Sequence, residues 1–459
     1  MIKQAPMRSL MLQLRTYMTT NSESLRQKIF TGTAWTMLGM GASQLLRFGK
    51  SLILTRLLFP EAYGLMAIVW SVSFGMVMLS DAGLSAAALR HKRGGEEDFL
   101  NTIWTMKIVR GLLFFVAMSL VAYPVSKFYA MPDLVWLIPI AGFAHMLEGF
   151  SSTNVYVMQR NMIYGRLTML EFANDIIGLV VILVWAYFYP SVAALIGSVV
   201  ICAFFQVYYS HALLPGKRNR LRWDPAVATE VFHFGKWVLL SSCIYLVYSQ
   251  GDRMMLGKYL TAAQLGVYSI AIMLSEVVSG VMGKINSNVM FPALSNIINK
   301  DRSRLLTVFY KTRLLTDGLM VVPIAVLMLI GAQVIALLYD VRYRDAGWML
   351  QILCVRLLMS SILTSSESCL LALGKPKYAV LQNSLRAAVI LVGIPFGWAY
   401  AGMYGVVWAV ALTEVPVLFL LWYGMYKNAV FSILHELRSF LFAGMGAGLG
   451  YLISNYVLM

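Results

Sequence analysis

Long apolar runs recur along the chain from about residue 30 to the C-terminus, and each spans roughly 18 to 25 residues. A run of this length lets an α-helix cross the hydrocarbon core of a bilayer, which is about 30 Å thick. Neither the two-residue alternation of a membrane β-barrel nor the short periodic faces of a soluble enzyme is visible. The pattern therefore predicts an all-α polytopic membrane protein.

We place thirteen spans, within a range of twelve to fourteen, and they divide at a polar stretch after the sixth span. The predicted order is a cytoplasmic N-terminal tail, an N-lobe of six spans, a cytoplasmic linker, a C-lobe of six spans, and an amphipathic segment with one extra span. The corresponding residues are 1–28, 29–213, 214–235, 236–425 and 426–459.

A weak internal repeat relates the two lobes. At an offset of 202 residues, segment 56–68 aligns with segment 258–270, and Gly64 matches Gly266. Both copies follow an odd-numbered span on the same side of the membrane, so the repeat is parallel, as in several transporter folds. We therefore expect two parallel-related six-helix lobes around a central cleft.

Composition changes this picture mainly through charge. The chain is 59% hydrophobic and only 13% charged, yet its net charge is +16. A cytoplasmic N-terminus puts 23 of the 37 Lys and Arg residues on the inner side and 6 in outer loops, as the positive-inside rule requires. The loops explain most of the positive charge, so no nucleic-acid partner is expected. The four cysteines lie in apolar runs, which does not favour a disulfide framework.

Eight basic residues lie within the spans or at their edges, where a charge at the helix centre costs about 2.5–3.5 kcal/mol. Four of these form two pairs at i, i+3 spacing, so each pair shares a helix face. They are Arg47 with Lys50 on the first span, and Lys107 with Arg110 on the third; Gln44 extends the first face. Neither pair has an acid on its own helix at i±3 or i±4. The pattern indicates a water-filled cavity that binds an anion.

Carboxylates on neighbouring spans leave an alternative open. Glu148 on the fourth span and Glu171 on the fifth could neutralise the cations through ion pairs across helices. Glu171 and Asp175, at i, i+4, could instead bind Na⁺ or carry protons, but we interpret them as charge balance. The five histidines lack ligand spacing, so neither a metal site nor a cofactor is expected.

Two parts of the chain resemble a known family. They are LTRLLFPEAYGLMAI with DAGLSAAALR (54–68 and 81–90), and SQGDRMMLGKYLTAAQLGVYSIA (249–271). They are similar to the polysaccharide-transport (Wzx-type) flippases of the multidrug/oligosaccharidyl-lipid/polysaccharide exporter superfamily. The resemblance implies a transporter, not an enzyme, in the inner membrane of a bacterium. Its substrate would be an undecaprenyl-pyrophosphate-linked oligosaccharide repeat unit, flipped from the cytoplasmic to the outer leaflet for surface or exopolysaccharide biosynthesis.

The resemblance also suggests roles and partners. Arg47 and Lys50 would bind the pyrophosphate, with Lys107 and Arg110 on the approach from the cytoplasm. Asp252, which the repeat aligns with Lys50, would close an outward gate through an interlobe ion pair. Partners would be the lipid-linked oligosaccharide, membrane lipids, and the polysaccharide polymerase and export machinery.

Two other functions stay open at this point. A cation-coupled small-molecule exporter of the same superfamily would share the fold, but cationic drugs favour an acidic cavity. A membrane-embedded glycan polymerase or ligase would use the same lipid-linked substrate. Such an enzyme usually carries its catalytic acids or His on a sizeable loop, whereas the longest internal polar stretches, 214–235 and 291–313, hold about two dozen residues each.

Overall fold

The computed structural model describes residues 25–80, 84–91, 93–161 and 163–456. Sixteen α-helices and no strand occupy this part of the chain, which confirms the all-α class. The helices are α1 Leu25–Leu57, α2 Pro60–Ser80, α3 Leu84–Arg90, α4 Glu97–Tyr129, α5 Leu134–Gly149, α6 Asn154–Arg160, α7 Tyr164–Phe188, α8 Val192–Ala212, α9 Pro225–Tyr259, α10 Ala262–Ile285, α11 Phe291–Lys300, α12 Leu305–Leu338, α13 Ala346–Ala372, α14 Lys377–Ala411, α15 Glu414–Lys427 and α16 Ile433–Tyr456.

Nine helical segments within the described residues are long and apolar enough to cross a membrane, or ten when the bent pair α5–α6 is taken as one span. Helices α1 and α9, which open the two predicted lobes, are longer than most of these segments but too polar to be counted among them. One of the nine, 377–427, joins α14 and α15. The number thirteen and the lobe boundaries therefore stay predictions, and most of the predicted tail 1–28 lies outside the described residues.

Helix α14 contains a chain reversal. Ala401 and Gly402 leave the helical region, and Gly402 has a φ of +55°, which glycine adopts without strain. A Cβ on Gly397 would lie 2.4 Å from the carbonyl oxygen of Gly405. In a straight helix these two residues would be about 12 Å apart, because the rise is 1.5 Å per residue. The two limbs of α14 therefore fold back on each other.

The predicted linker, 214–235, is non-helical only as far as Asp224. The Asp224 side chain accepts a hydrogen bond from the backbone N–H of Ala226 at 2.9 Å, and Pro225 occupies the first position of α9. An aspartate cap followed by proline is a strong helix start, because it satisfies a free N–H and fixes φ. The second half of the predicted linker therefore belongs to α9.

Helices α2 and α10, one from each lobe, touch through their backbones. A Cβ on Gly64 would lie 1.8 Å from the carbonyl oxygen of Ala262, and a Cβ on Gly266 would lie 1.8 Å from that of Pro60. The 202-residue offset maps Pro60 onto Ala262 and Gly64 onto Gly266. It therefore interchanges the two contacts, as a twofold axis does. The same offset relates the ends of α1 and α9 and the starts of α2 and α10. The repeat found in the sequence is therefore a repeat in the structure.

The lobes are also joined at one end of the bundle, which we call the closed end, where α1 and α9 finish. Here the turn after α12 reaches the last residues of α1. The Arg342 guanidinium donates to the carbonyl oxygens of Thr55 and Arg56 at 3.2 and 3.0 Å, and the Tyr343 hydroxyl donates to that of Leu58 at 3.2 Å. These bonds satisfy carbonyl groups that a helix end leaves free.

The last residues of α4 make a similar contact with α9. The Lys258 ammonium donates to the carbonyl oxygen of Phe128 at 3.1 Å, and the Tyr129 hydroxyl donates to that of Met254 at 3.0 Å. Each lobe thus holds the first helix of the other lobe at the closed end.

Removing the Arg342 side chain is expected to loosen the closed end. Asp340 orients this guanidinium through a 2.7 Å hydrogen bond, and Arg342 in turn holds the pKa of Asp340 below its usual range. The Asp340 contribution is therefore present at neutral pH and is lost as the pH falls through that lowered pKa. In an Arg342→Ala background, a cysteine replacing the buried Ser51 should react severalfold faster with a membrane-impermeant maleimide. The control is Arg344→Ala, which removes an exposed side chain from the same turn. Equal reaction rates in the two variants would contradict a role of Arg342 in holding the closed end together.

Candidate anion-binding site

A cavity of about 320 Å³ lies inside the N-lobe, between α2, α4, α5, α6 and α8. The polar residues of its wall are Lys107, Arg110, His145, Glu148, Ser151, Tyr156 and Gln206. The i, i+3 spacing on the third span predicted that Lys107 and Arg110 share a face, and both line this cavity. Two cations thus share this cavity with one carboxylate and one histidine.

Lys107 is held by neutral groups. Its ammonium donates to the carbonyl and hydroxyl oxygens of Ser151, both at 2.9 Å, and lies 5.4 Å from the centroid of the Tyr156 ring. Glu148 acts on this charge only at longer range, since no ion pair joins the two side chains. The ammonium is therefore oriented but not neutralised.

Close packing of α4 on α5 creates this geometry. A Cβ on Gly149 would lie 2.9 Å from the carbonyl oxygen of Lys107, and a Cβ on Gly111 would lie 3.1 Å from that of Met146. Small residues let two membrane helices approach at this distance. Because α5 ends at Gly149, Ser151 lies two residues beyond the helix end, where it accepts the hydrogen bonds of Lys107.

Arg110 stands at the edge of the cavity. Its Nε donates to the hydroxyl of Ser80 on α2 at 3.2 Å, and the residue is partly buried. The planar guanidinium presents several N–H donors in a fixed fork, which suits a phosphate or carboxylate.

The predicted acidic residues do not pair with the predicted cations. Glu148 contacts His145, with 3.0 Å between Oε2 and Nδ1. Glu171 is exposed, Asp175 is partly buried, and the two carboxylates act on each other electrostatically. Within the described ranges neither of them forms an ion pair. The cross-helix pairing weighed for Arg47 is therefore not formed in this structure.

Arg47 lies on the face of α1 that becomes buried towards the closed end. Residues at i, i+4, i+7 and i+11 share one helix face, and Ser51, Leu54 and Leu58 follow Arg47 at these intervals with exposures of 5%, 1% and 0%. Arg47 itself is exposed, while Leu45, 74% exposed, points to the other side of the helix. Its side chain makes no hydrogen bond or ion pair with the part of the chain that the structure describes. Arg47 is thus exposed on a face of α1 that is buried from Ser51 onwards.

Lys50 and Gln44 are partly buried on neighbouring faces of α1. Lys50 interacts electrostatically with Asp175 on α7, the helix on which α1 packs. It does not line the cavity. The structure thus brings Lys107 and Arg110 together and keeps Arg47 and Lys50 outside their cavity.

Asp252 is buried within its own lobe. Its carboxylate accepts hydrogen bonds from the Tyr268 hydroxyl at 3.0 Å and from the backbone N–H of Arg253 at 2.8 Å. It makes no interlobe ion pair with any residue described in the structure, so the predicted gate is not formed here. Two residues before Asp252, Gln250 accepts a hydrogen bond across the interface from the Ser71 hydroxyl at 3.0 Å.

Sequence reasoning missed a buried ion cluster in the C-lobe. Arg313 and Glu436 are fully buried and joined at 2.5 Å, and Asp317 lies 3.5 Å from Arg313 and accepts from the Ser439 hydroxyl. The cluster attaches α16 to α12. Arg313 stands at the end of the polar stretch 291–313, which the sequence places in a loop, whereas in the structure it is buried within α12. The Asp317 carboxylate at i+4 was the available signal for a buried pair.

Two other basic residues of the spans, Arg356 and Arg386, also have an acidic partner. They lie 3.8 and 2.7 Å from the carboxylate of Glu414, which is buried. Three arginines of the C-lobe, Arg313, Arg356 and Arg386, are therefore paired with carboxylates. Within the described residues, Arg47, Lys50 and Lys107 of the N-lobe and Lys284 of α10 form no ion pair.

Comparison with known proteins places this architecture in a family. The family model described as "Polysaccharide biosynthesis protein" matches residues 53–346. The chain is 23% identical over 443 residues to the lipopolysaccharide biosynthesis protein WzxC of Escherichia coli (strain K12), covering 95% of this chain and 88% of WzxC. It is 20% identical to the teichuronic acid biosynthesis protein TuaB of Bacillus subtilis (strain 168), covering 85% and 81% of the two chains.

Solved structures show the same fold. The lipid II flippase MurJ in an inward closed conformation superposes with a TM-score of 0.67 at 11% sequence identity, covering 93% of this chain and 98% of MurJ. The likeness confirms a polytopic helical fold of the exporter type, as the sequence predicted. By the family match, the chain belongs to the polysaccharide biosynthesis protein family, among the Wzx-type transporters of the multidrug/oligosaccharidyl-lipid/polysaccharide exporter superfamily.

Proposed function

We propose that this protein flips undecaprenyl-pyrophosphate-linked oligosaccharide repeat units from the cytoplasmic to the outer leaflet of the bacterial inner membrane. The observation that carries the proposal is the 320 Å³ cavity, in which the Lys107 ammonium is oriented by Ser151 and forms no ion pair with a carboxylate of the described residues. The names of WzxC and TuaB, both biosynthesis proteins of surface polysaccharides, support the same substrate class.

The chemistry of the cavity suits a pyrophosphate, which carries about two negative charges. A guanidinium binds phosphate oxygens in pairs, and an ammonium adds a point charge. Lys107 can exchange Ser151 for a phosphate oxygen without breaking an ion pair, so no carboxylate is left unpaired in the interior. A cationic drug would meet Lys107 and Arg110 instead, which disfavours the exporter alternative.

The two basic pairs lie at different depths. Lys107 precedes Tyr129, at the closed end, by 22 residues of α4, or about 33 Å at 1.5 Å per residue. Arg47 precedes the end of α1 by 10 residues, or about 15 Å. In our account Lys107 and Arg110 receive the head group near the cytoplasmic surface, and Arg47 and Lys50 take it at mid-membrane.

Alternating access follows from the interlobe contacts. With the N-terminus in the cytoplasm, the closed end would face outward. The lobes would rock against each other, breaking the bonds of Arg342 and Lys258 at the closed end to release the glycan. Glu148, Glu171 and Asp175 would balance charge, and a polysaccharide polymerase would take up the product.

Binding of the charged head group is the test of this proposal. Purified protein in nanodiscs should bind a polyprenyl-pyrophosphate-linked oligosaccharide, and Lys107→Gln should weaken this binding about 10- to 100-fold, because a hydrogen bond to a charged group contributes about 1.5–3 kcal/mol. Lys127→Gln, on the same helix near the closed end, is the matched control and should bind normally. Unchanged affinity in Lys107→Gln, or equal binding of the uncharged polyprenol, would refute the anion site.

A further inference from the structure

A second cavity of about 290 Å³ adjoins the first and has the opposite character. It lies between α2, α3, α4 and the linker. Its walls are mainly apolar: Met76, Leu84, Met106, Leu113, Ala117 and Trp223. We call this space the apolar groove.

The two cavities share part of their wall. Arg110 and Phe114 line both of them, and the Arg110 guanidinium is held at this position by Ser80, which belongs to the groove. A cation therefore stands at the junction between a polar cavity and an apolar one. Such a junction fits a ligand that is anionic at one point and hydrocarbon immediately beside it.

The linker completes the groove. The backbone N–H groups of Arg220 and Arg222 donate to the side chains of Asn101 and Thr105, at 2.9 and 3.0 Å. Asn101 and Thr105 are one turn apart on α4, so the linker runs along this helix and places the half-exposed Trp223 at the groove. Tryptophan suits such a position, since its ring covers hydrocarbon while its N–H stays in a polar layer.

We infer that the apolar groove binds the first isoprene units of the prenyl chain while the pyrophosphate contacts Arg110 and Lys107. The inference rests on the proposed function. An apolar cavity of about 150 Å³ holds a six-carbon ring, so 290 Å³ accommodates about ten carbons, or two isoprene units. The remaining chain has a path along α4, where Leu113 and Leu120 are exposed on one face towards the closed end.

The groove gives the site a means of selection. Soluble nucleotide sugars carry the same pyrophosphate and also a sugar, so the cationic cavity alone cannot reject them. A prenyl chain in the groove adds hydrophobic binding free energy that a nucleotide lacks. The apolar groove is therefore a specificity site that distinguishes lipid-linked glycans from their soluble precursors.

Two short diphosphates test the groove separately from the anion site. Full-length protein in nanodiscs, with empty nanodiscs subtracted, should bind geranyl diphosphate at least tenfold more tightly than methyl diphosphate. Ala117→Trp, which fills the groove, should abolish this difference. Val116→Trp, on the adjacent exposed face and outside the groove lining, should preserve it. Ala117→Leu is the milder variant should tryptophan impair folding, and it should reduce the difference in part.

The outcomes separate the groove from the proposed function. Equal affinities of the wild type for both diphosphates would overturn the groove and leave the anion site intact. A preference for geranyl diphosphate that survives both Ala117 substitutions would place the prenyl chain elsewhere and overturn the assignment. Loss of the preference in nanodiscs rich in phosphatidylglycerol would show that ordinary lipid fills the groove. Binding of neither diphosphate would refute the anion site, and the inference with it.

Discussion

Replacing Arg47 by alanine is expected to abolish glycan export while the amount of folded protein in the membrane stays normal. The Arg47 side chain is exposed on α1 and makes no hydrogen bond or ion pair with a described residue, so its removal strands no partner. Arg47→Lys should restore export only in part, because it keeps the charge but loses the two-pronged contact with phosphate. Both are measured as surface polysaccharide in cells that depend on this protein, beside its level in the membrane.

Arg56→Ala is the matched control for Arg47, since it removes an exposed arginine from the last turn of the same helix. It should leave export unchanged. If Arg47→Ala exported glycan normally, Arg47 would have no role in substrate binding. If it instead lowered the amount of folded protein, Arg47 would be a structural residue.

Gly64→Ala and Gly266→Ala should each destabilise the protein and block transport. Each added Cβ would lie 1.8 Å from a backbone carbonyl oxygen of the other helix, so α2 and α10 must move apart. Overpacking of this kind costs about 1–3 kcal/mol and occasionally more. Thermal unfolding in detergent should show similar losses for the two variants, because the repeat makes the two contacts equivalent. One separation relieves both, so the double variant should cost less than the sum of the single ones.

Gly280→Ala is the control for this pair. It lies on α10, and a Cβ there would meet nothing within 4 Å. Alanine favours a helix by about 1 kcal/mol over glycine, so this variant should be neutral or slightly stabilised. Equal unfolding temperatures for the Gly64 and Gly280 variants would contradict the close crossing of the lobes.

The sequence predicts features of this fold that depend on local pattern. Hydrophobic length indicated the helical class, and the match of Gly64 with Gly266 belonged to the repeat that relates α2 to α10. The i, i+3 spacing of Lys107 and Arg110 predicted a common face, because helix geometry alone decides it. These conclusions need no knowledge of which helices become neighbours.

Other features depend on contacts between distant segments and could not be read from the chain. Ser151 is 44 residues from Lys107 and meets it only because two glycines bring α4 against α5. The apolar groove requires the linker to run along α4. Arg313 was misplaced in a loop because a buried ion pair and a polar span boundary look alike in a hydropathy profile.

A translocation assay with reconstituted protein measures directly whether this protein moves a lipid-linked oligosaccharide across the bilayer. Liposomes carrying a fluorescent undecaprenyl-pyrophosphate oligosaccharide in both leaflets would be exposed to a glycosidase outside, and the protected fraction would be followed over time. We expect the wild-type protein to make the inner pool accessible to the glycosidase, and the Arg47→Ala and Lys107→Gln variants to leave it protected. A protected pool that persists with folded wild-type protein, or transport of a cationic dye in place of the glycan, would contradict the proposed flippase function.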